Sequence, residues 1–219
     1  MIMNKNVIEF FNSSELVDYK KSIELMEKRV EGINEDKASE LLWFLEHPSI
    51  YTAGTSSNDK DLLNENLFPV FRTNRGGQFT YHGPGQRVAY VMLNVRDRDY
   101  NVKSFIRLLE QWIMNSLMDI GIKSFLIKGK VGIWVNNEEK IASLGLRIRK
   151  GISFHGISLN INPNLEHFSG IIPCGNENSG VTSIEKIGLN IKKKEIDKIL
   201  ISNFKKTFEV KIIPTQTLS

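Results

Sequence analysis

The sequence predicts an α+β fold, a mixed or antiparallel sheet with helices packed on one side of it. Three observations lead there. Between residues 130 and 162 short apolar segments follow one another with only tight turns between them, the signature of consecutive hairpins. Two segments, 102–120 and 192–207, repeat apolar residues at helical spacing. The chain has 219 residues, 41% of them apolar, enough for one sizeable core, so a single domain over 1–219 is expected.

In chain order, Leu16, Tyr19, Ile23, Met26 and Val30 predict a helix over 14–30, with Ser13 or Ser14 as its N-cap. Residues 40–47 and 50–54 are short apolar runs stopped by Pro48 and Gly54 and read as strands; 69–72 reads as another. Residues 87–95, RVAYVMLNV, are apolar at nearly every position, as a strand covered on both faces would be. Val102, Phe105, Leu109, Trp112, Ile113, Leu117 and Ile120 form one stripe of a second helix, with Gly121 where a C-terminal cap belongs. Strands over 130–135 and 140–148 flank the polar turn 136–139, and a strand over 152–162 is entered through Lys150 and Gly151. A loop over 171–183 leads to a last helix, with Ile196, Ile199, Leu200 and Phe204 inward.

Composition narrows the function classes. No run approaches the ~18 apolar residues needed to span a bilayer, and residues 1–15 lack a secretory signal's apolar core and cleavage site. One cysteine forms no internal disulfide, which fits a reducing cytoplasm, and it excludes a Cys-based zinc cluster. The four histidines lack metal-ligand spacing, so no metal is expected. A net charge of +4 is mild, its lysines and arginines mostly alternate with acids, and RNA-reading signatures are absent. The lysine cluster 192–194 reads as a solvated helix start, and the small positive field suits acidic protein partners better than nucleic acid.

Residues 75–86 read RGGQFTYHGPGQ, with four glycines and one proline in twelve positions. Such density is unsuited to a helix or a central strand; Gly76, Gly77, Gly83 and Gly85 permit positive φ and close approach of backbone to a ligand, while Arg75 and His82 supply polar groups. The run reads as a binding loop. Arg75 and His82 could touch a substrate or hold the loop through hydrogen bonds to carbonyls; both roles stay open.

Cys174, between Pro173 and Gly175 in a polar loop, is better placed to present a nucleophile than to fill a core. A thiol with an ordinary pKa near ~8.5 needs a neighbouring cation or base to ionise at neutral pH. His82 or His155 could form a hydrolase-type pair with it, or be structural. Lys140, at a turn-to-strand junction just before Ser143, Leu144 and Gly145, would by itself pass for a solvated lysine.

RGGQFTYHGPGQ followed by an apolar strand, then KIASLGLRIRKGISFHGISLNIN, then IPCG and GVTSIEK, closely resembles the octanoyltransferases of lipoate biosynthesis. Three glycine-bearing motifs occur in order and spacing, and the likeness runs from about residue 46 to about residue 186. The resemblance implies a fold like the catalytic domain of biotin and lipoate protein ligases. It implies transfer of an octanoyl chain from acyl carrier protein to a lysine of lipoyl domains, in 2-oxoacid dehydrogenase E2 subunits and the glycine cleavage H protein, with no cofactor and no ATP. The family's nucleophile falls on Cys174 and its activating lysine on Lys140. Its substrate-contacting segments fall on Arg75, Gly76, Gly77, Gln78, Phe79, Thr80, Tyr81 and His82, on Ser143, Leu144 and Gly145, and on Gly156, Ile157 and Ser158.

The chemistry of these residue types agrees. A lysine beside Cys174 would favour the thiolate or take its proton, and backbone amides of the 75–82 segment or near Gly175 would meet the oxyanion. An ATP-dependent lipoate ligase on the same fold would need no cysteine, a thiol hydrolase would release free octanoate, and a non-catalytic acyl-binding module would ignore loss of Cys174.

Overall fold

The computed structural model describes residues 6–136, 139–173 and 180–218. Its strands are β1 (Val7–Leu16), β2 (Leu41–Glu46), β3 (Ile50–Ala53), β4 (Val70–Arg72), β5 (Phe79–His82), β6 (Gln86–Met92), β7 (Phe125–Ile127), β8 (Lys130–Val135), β9 (Glu139–Arg149), β10 (Ile152–Asn160), β11 (Gly180–Val181) and β12 (Lys211–Pro214). Its α-helices are α1 (Tyr19–Asn34), α2 (Val102–Met118) and α3 (Lys193–Phe208). Among the described residues the main sheet runs β12-β1-β2-β6-β10-β9-β8-β7, with β11 beside β9, and a smaller sheet runs β4-β3-β5. Pairing is mixed: β1 is parallel to both β2 and β12, whereas β2, β6, β10, β9, β8 and β7 alternate in direction.

The sheet is covered on both faces, so the expectation of helices on one side is corrected. Leu42 and Phe44 of β2 join Phe105, Trp112, Leu200 and Phe204 under α2 and α3. Their neighbours Leu41, Trp43 and Leu45 turn the other way, to Met26, Val30 and Ile33 of α1. Alternation with both faces dry is why LLWFLE and RVAYVM carry almost no polar residue. Of the two charged exceptions, Glu46 and Arg87, Arg87 is 1% exposed and ties β6 to α3: its guanidinium donates to both oxygens of Asp197 at 2.8 Å.

The first helix starts later than its apolar spacing suggests. Asp18 is the N-cap and accepts from the Lys21 amide at 2.9 Å, while Ser13 and Ser14 lie in β1 and Leu16 is 48% exposed. Pairing with β2, which reaches Leu16 opposite Glu46, outweighs local periodicity there. The Arg149 to Ile152 turn behaves as read: Lys150 and Gly151 both have positive φ, 54° and 82°, the type I′ geometry that matches strand twist.

The glycine-rich run is not loop throughout. Phe79–His82 is a strand, antiparallel to β3, and of the four glycines Gly77 and Gly85 have positive φ. Aromatic and β-branched side chains at 79–81 supply the strand, and glycines on either side let the chain turn into and out of it.

Candidate active site

A cleft of about 580 Å³, counting its open mouth, lies between the main sheet and the small one. Its floor is built by what β9 and β10 lack. Gly145 stands opposite Gly156 and Ser143 opposite Ser158, with Tyr90 and Val88 of β6 next in line. Directly opposed residues share a face, so four small residues leave a trough in the sheet surface. Gly156 also permits tight strand packing: a Cβ there would fall 2.0 Å from the Ala89 carbonyl oxygen.

The roof is the 75–82 segment, and Arg75 holds it in place. Its Nη2 donates to the Thr52 carbonyl at 2.8 Å, the Thr52 hydroxyl at 2.7 Å and the Gln78 carbonyl at 3.0 Å; its Nη1 donates to the Gly76 carbonyl at 3.0 Å. The Gly76 amide is spent on the Leu146 carbonyl at 2.8 Å, which pins roof to floor. Of the two roles open to Arg75, the loop-holding one is what its geometry displays.

His82 likewise faces inward. Its Nδ1 donates to the Gln86 Oε1 at 2.6 Å; the Gln86 amide donates to Asn160 Oδ1 at 2.9 Å, and the Asn160 amide to the Thr182 carbonyl at 2.9 Å. Thr182 in turn donates its own amide to the Lys140 carbonyl at 3.0 Å, so a polar chain crosses β6, β10 and β9 from roof to lysine. Burial, with His47 nearby, lowers the His82 pKa to about 3; burial and then Arg75 lower that of His155 to about 3. His47, pulled down by burial to about 4, donates from Nδ1 to the Val17 carbonyl at 2.6 Å and accepts from the Tyr90 hydroxyl at 2.7 Å. Three neutral imidazoles therefore stand around the cleft at neutral pH.

Lys140 lies along β9 from Ser143 and is 4% exposed. Its Nζ sits 4.7 Å from the centroid of the Trp134 ring. Gly132, with φ of 126°, makes room for it: a Cβ at 132 would meet Lys140 Cε at 2.9 Å. Neither Gly132 nor Trp134 carries a motif in the sequence that announces this seat; only the β8-β9 pairing does.

The cleft gathers Arg75, Gly77, Gln78, Phe79, Thr80, His82, Ser143, Leu144, Gly145, Gly156, Ile157 and Ser158. Gly76 and Tyr81 do not line it; Tyr81 turns to the far side of β5, where its hydroxyl meets Ser49 Oγ at 3.0 Å and His167 Nδ1 at 2.8 Å. Tyr19, Val88, Tyr90, Val131 and His155 complete the lining. Sequence reading placed Tyr19 on a helix stripe and missed its second face. Cys174 and Gly175 lie outside the described residues.

The mixed sheet with helices on both faces and a glycine-floored cleft under a small second sheet is shared, as a fold, with the catalytic domains of lipoate and biotin ligases. A crystal structure of lipoate-protein ligase A bound with ATP superposes with a TM-score of 0.73 at 17% identity, covering 96% of this chain and 90% of that one. A biotin protein ligase from Aquifex aeolicus in complex with biotin and ATP gives 0.54 at 15% identity, covering 94% of this chain and 71% of that one. Residues 18–205 match the lipoyl protein ligase A/B catalytic domain family, and the chain belongs to it. Within that family it groups with the octanoyltransferases: the octanoyltransferase of Bartonella tribocorum is 46% identical, over 94% of this chain and 89% of its own. The chain is an octanoyl-transferring enzyme of lipoate biosynthesis. No helix among its described residues is long and apolar enough to cross a membrane.

Proposed function

We propose that the cleft holds the octanoyl chain, that Cys174 carries it as a thioester and that Lys140 moves the protons. The donor is octanoyl-acyl carrier protein and the acceptor a lysine of a lipoyl domain, in 2-oxoacid dehydrogenase E2 subunits and the glycine cleavage H protein, in the cytoplasm. One observation carries the pairing of Lys140 with Cys174: Val181 lies beside Lys140 in parallel register, so the segment containing Cys174 ends at the lysine's own strand. Six residues from 174 to 180 span at most ~22 Å, which sets an upper bound on how far the Cys174 backbone lies from that strand.

In the first step the Cys174 thiol gives its proton to Lys140, and its Sγ attacks the thioester carbonyl. The bond from carbonyl carbon to the pantetheine sulfur breaks, and that sulfur leaves as a thiol with the proton from Lys140. In the second step the acceptor amine attacks, its proton passes to Lys140, the C–N bond forms and the Cys174 thiolate is expelled. One thioester replaces another and an amide replaces that, so no nucleotide is consumed. The trough offers the chain an apolar slot; at ~0.8 kcal/mol per methylene its burial is worth several kcal/mol. The Gly76 amide is committed to Leu146, so the oxyanion is met by amides elsewhere in the roof or near Gly175.

Intact mass spectrometry after mixing with octanoyl-acyl carrier protein, without nucleotide, tests this reading. Wild type is expected to gain one octanoyl group on Cys174, Cys174→Ser to yield no thioester, and Lys140→Ala to acylate at least a hundredfold more slowly. A thioester on any other residue, or a requirement for ATP, ends it.

A further inference from the structure

β7 is the last strand of the main sheet, paired with β8 on one side and, among the described residues, with nothing on the other. Phe125, Leu126 and Val131 of this hairpin are 37%, 47% and 56% exposed. Around them the chain carries Lys123, Lys128 and Lys130, and no acidic residue between Asp119 and Glu138. Several lysines elsewhere meet carboxylates: Lys37 meets Glu35, Lys150 Glu31, Lys186 Glu139 and Lys193 Glu46. Lys123 and Lys128 are exposed and form no ion pair among the described residues. Lysines on a sheet edge discourage pairing with another chain, but that task leaves the exposed Phe125 and Leu126 beside them unexplained. An apolar centre inside a charged rim is the composition of a docking surface.

The hairpin leads into the site. Val131 is both exposed and part of the cleft lining, so it marks the mouth. Three residues farther along β8, about 10 Å of strand, Trp134 stands opposite Lys140 and holds its Nζ over the indole ring. The Lys130 Nζ lies 5.5 Å from the centroid of the same ring. A partner seated on β7 and on the turn 128–129 therefore rests beside the cleft mouth and beside the seat of Lys140.

We propose that the β7-β8 hairpin is the docking surface for the donor, received through an acidic face of the carrier protein around the root of its pantetheine arm. The inference rests on reading the donor as octanoyl-acyl carrier protein. Charge selects donor over acceptor. The pantetheine arm is joined to its carrier through a phosphodiester, an anion at any working pH, and lysines without carboxylate partners attract it. A lipoyl domain instead presents a lysine, cationic in solution, which the same lysines repel. The two parts of the surface divide the work. Lys123 and Lys128 draw the carrier in and make the encounter sensitive to salt, while Phe125 and Leu126 supply the apolar contact that holds it.

The test compares octanoyl-acyl carrier protein with octanoyl-pantetheine, which has the thioester but neither carrier nor phosphate, with a lipoyl domain as acceptor. Lys123→Glu combined with Lys128→Glu is expected to raise KM for octanoyl-acyl carrier protein about tenfold or more, with kcat little changed, and to remove most of the rise in KM that added salt causes in wild type. Leu126→Ser is expected to raise the same KM about threefold or more at every salt concentration. Lys123→Arg combined with Lys128→Arg should match wild type. In all of these variants transfer from octanoyl-pantetheine and KM for the lipoyl domain should stay at wild-type values, which also shows that they fold. An unchanged KM for the carrier-borne donor overturns the surface. So does a rise in KM for the lipoyl domain, which would give the hairpin to the acceptor. Wild type that transfers no octanoyl group from either donor removes the functional reading, and this surface with it.

Discussion

Val181 pairs with Lys140 in parallel, and one residue on, the Thr182 amide donates to the Lys140 carbonyl at 3.0 Å. The chain thus returns to the lysine directly after the segment that bears Cys174. The lysine side chain is fixed from the other flank, between the Trp134 ring and the space left by Gly132.

Gly132→Ala is therefore expected to disable the enzyme without touching any reacting atom. The added Cβ would stand 2.9 Å from Lys140 Cε and 2.8 Å from the Ala142 carbonyl oxygen, at a φ of 126°. The lysine must move off its seat. Octanoyl transfer should fall at least a hundredfold, the scale of a lost proton-transfer group. Iodoacetamide alkylation of Cys174 should slow as well; an alkylation rate equal to that of wild type would show that the seat is irrelevant to the thiol.

Arg75→Lys should loosen the roof. An ammonium cannot reproduce a guanidinium that reaches two carbonyls and a hydroxyl from one nitrogen and a third carbonyl from the other. At about 1 kcal/mol or more for each buried bond lost, destabilisation of about 2–3 kcal/mol is expected in a urea titration. KM for octanoyl-acyl carrier protein should rise more than kcat falls, because the slot loses its shape and not its nucleophile. A fall in kcat alone would instead place Arg75 on the reacting carbonyl.

What the sequence made legible is what periodicity and turn chemistry encode. The α2 stripe from Phe105 to Leu117, the dry β6 and the turn at Lys150 and Gly151 all stand where their residues point. β1 was hidden because FFNSSEL is half polar and its partner β12 lies some two hundred residues away. β7 is three residues on a sheet edge, too short for any pattern. Family motifs brought forward the trough residues Ser143, Gly145, Gly156 and Ser158. The side chains that close the cleft, Tyr19, Tyr90 and His155, come from α1, β6 and β10, and only strand register and helix placement bring them together.

Acid should unfold this protein early. His47, His82 and His155 have pKa values pulled by burial to about 4, about 3 and about 3, whereas in the unfolded chain each titrates near ~6.5. Below that value the unfolded state binds protons that the folded state refuses. Stability is fully present above about pH 6.5 and is lost as pH falls, by about 1.4 kcal/mol per pH unit for each ring. Thermal melts should show Tm dropping steeply between pH 6.5 and 5, and His82→Asn should flatten that slope by about a third. A Tm level across this interval would show that these rings are not held neutral.

The Arg87 and Asp197 pair gives a stability test away from the cleft. The two side chains are 1% and 9% exposed and meet through two bonds of 2.8 Å, with Asn12 adding a third contact to Asp197 at 3.3 Å. Burial pushes the Asp197 carboxyl pKa up even against the opposing pull of Arg87, which shows how costly the site is for a lone charge. Asp197→Ala would leave the guanidinium buried with its carboxylate gone, against the Phe44 ring 5.6 Å away, and should cost about 3–5 kcal/mol in a urea titration. Replacing both partners removes the uncompensated charge, so Arg87→Met combined with Asp197→Leu should recover most of that loss. If the double variant is as unstable as the single one, packing of α3 on β6, and not the charge, is what Asp197 secures.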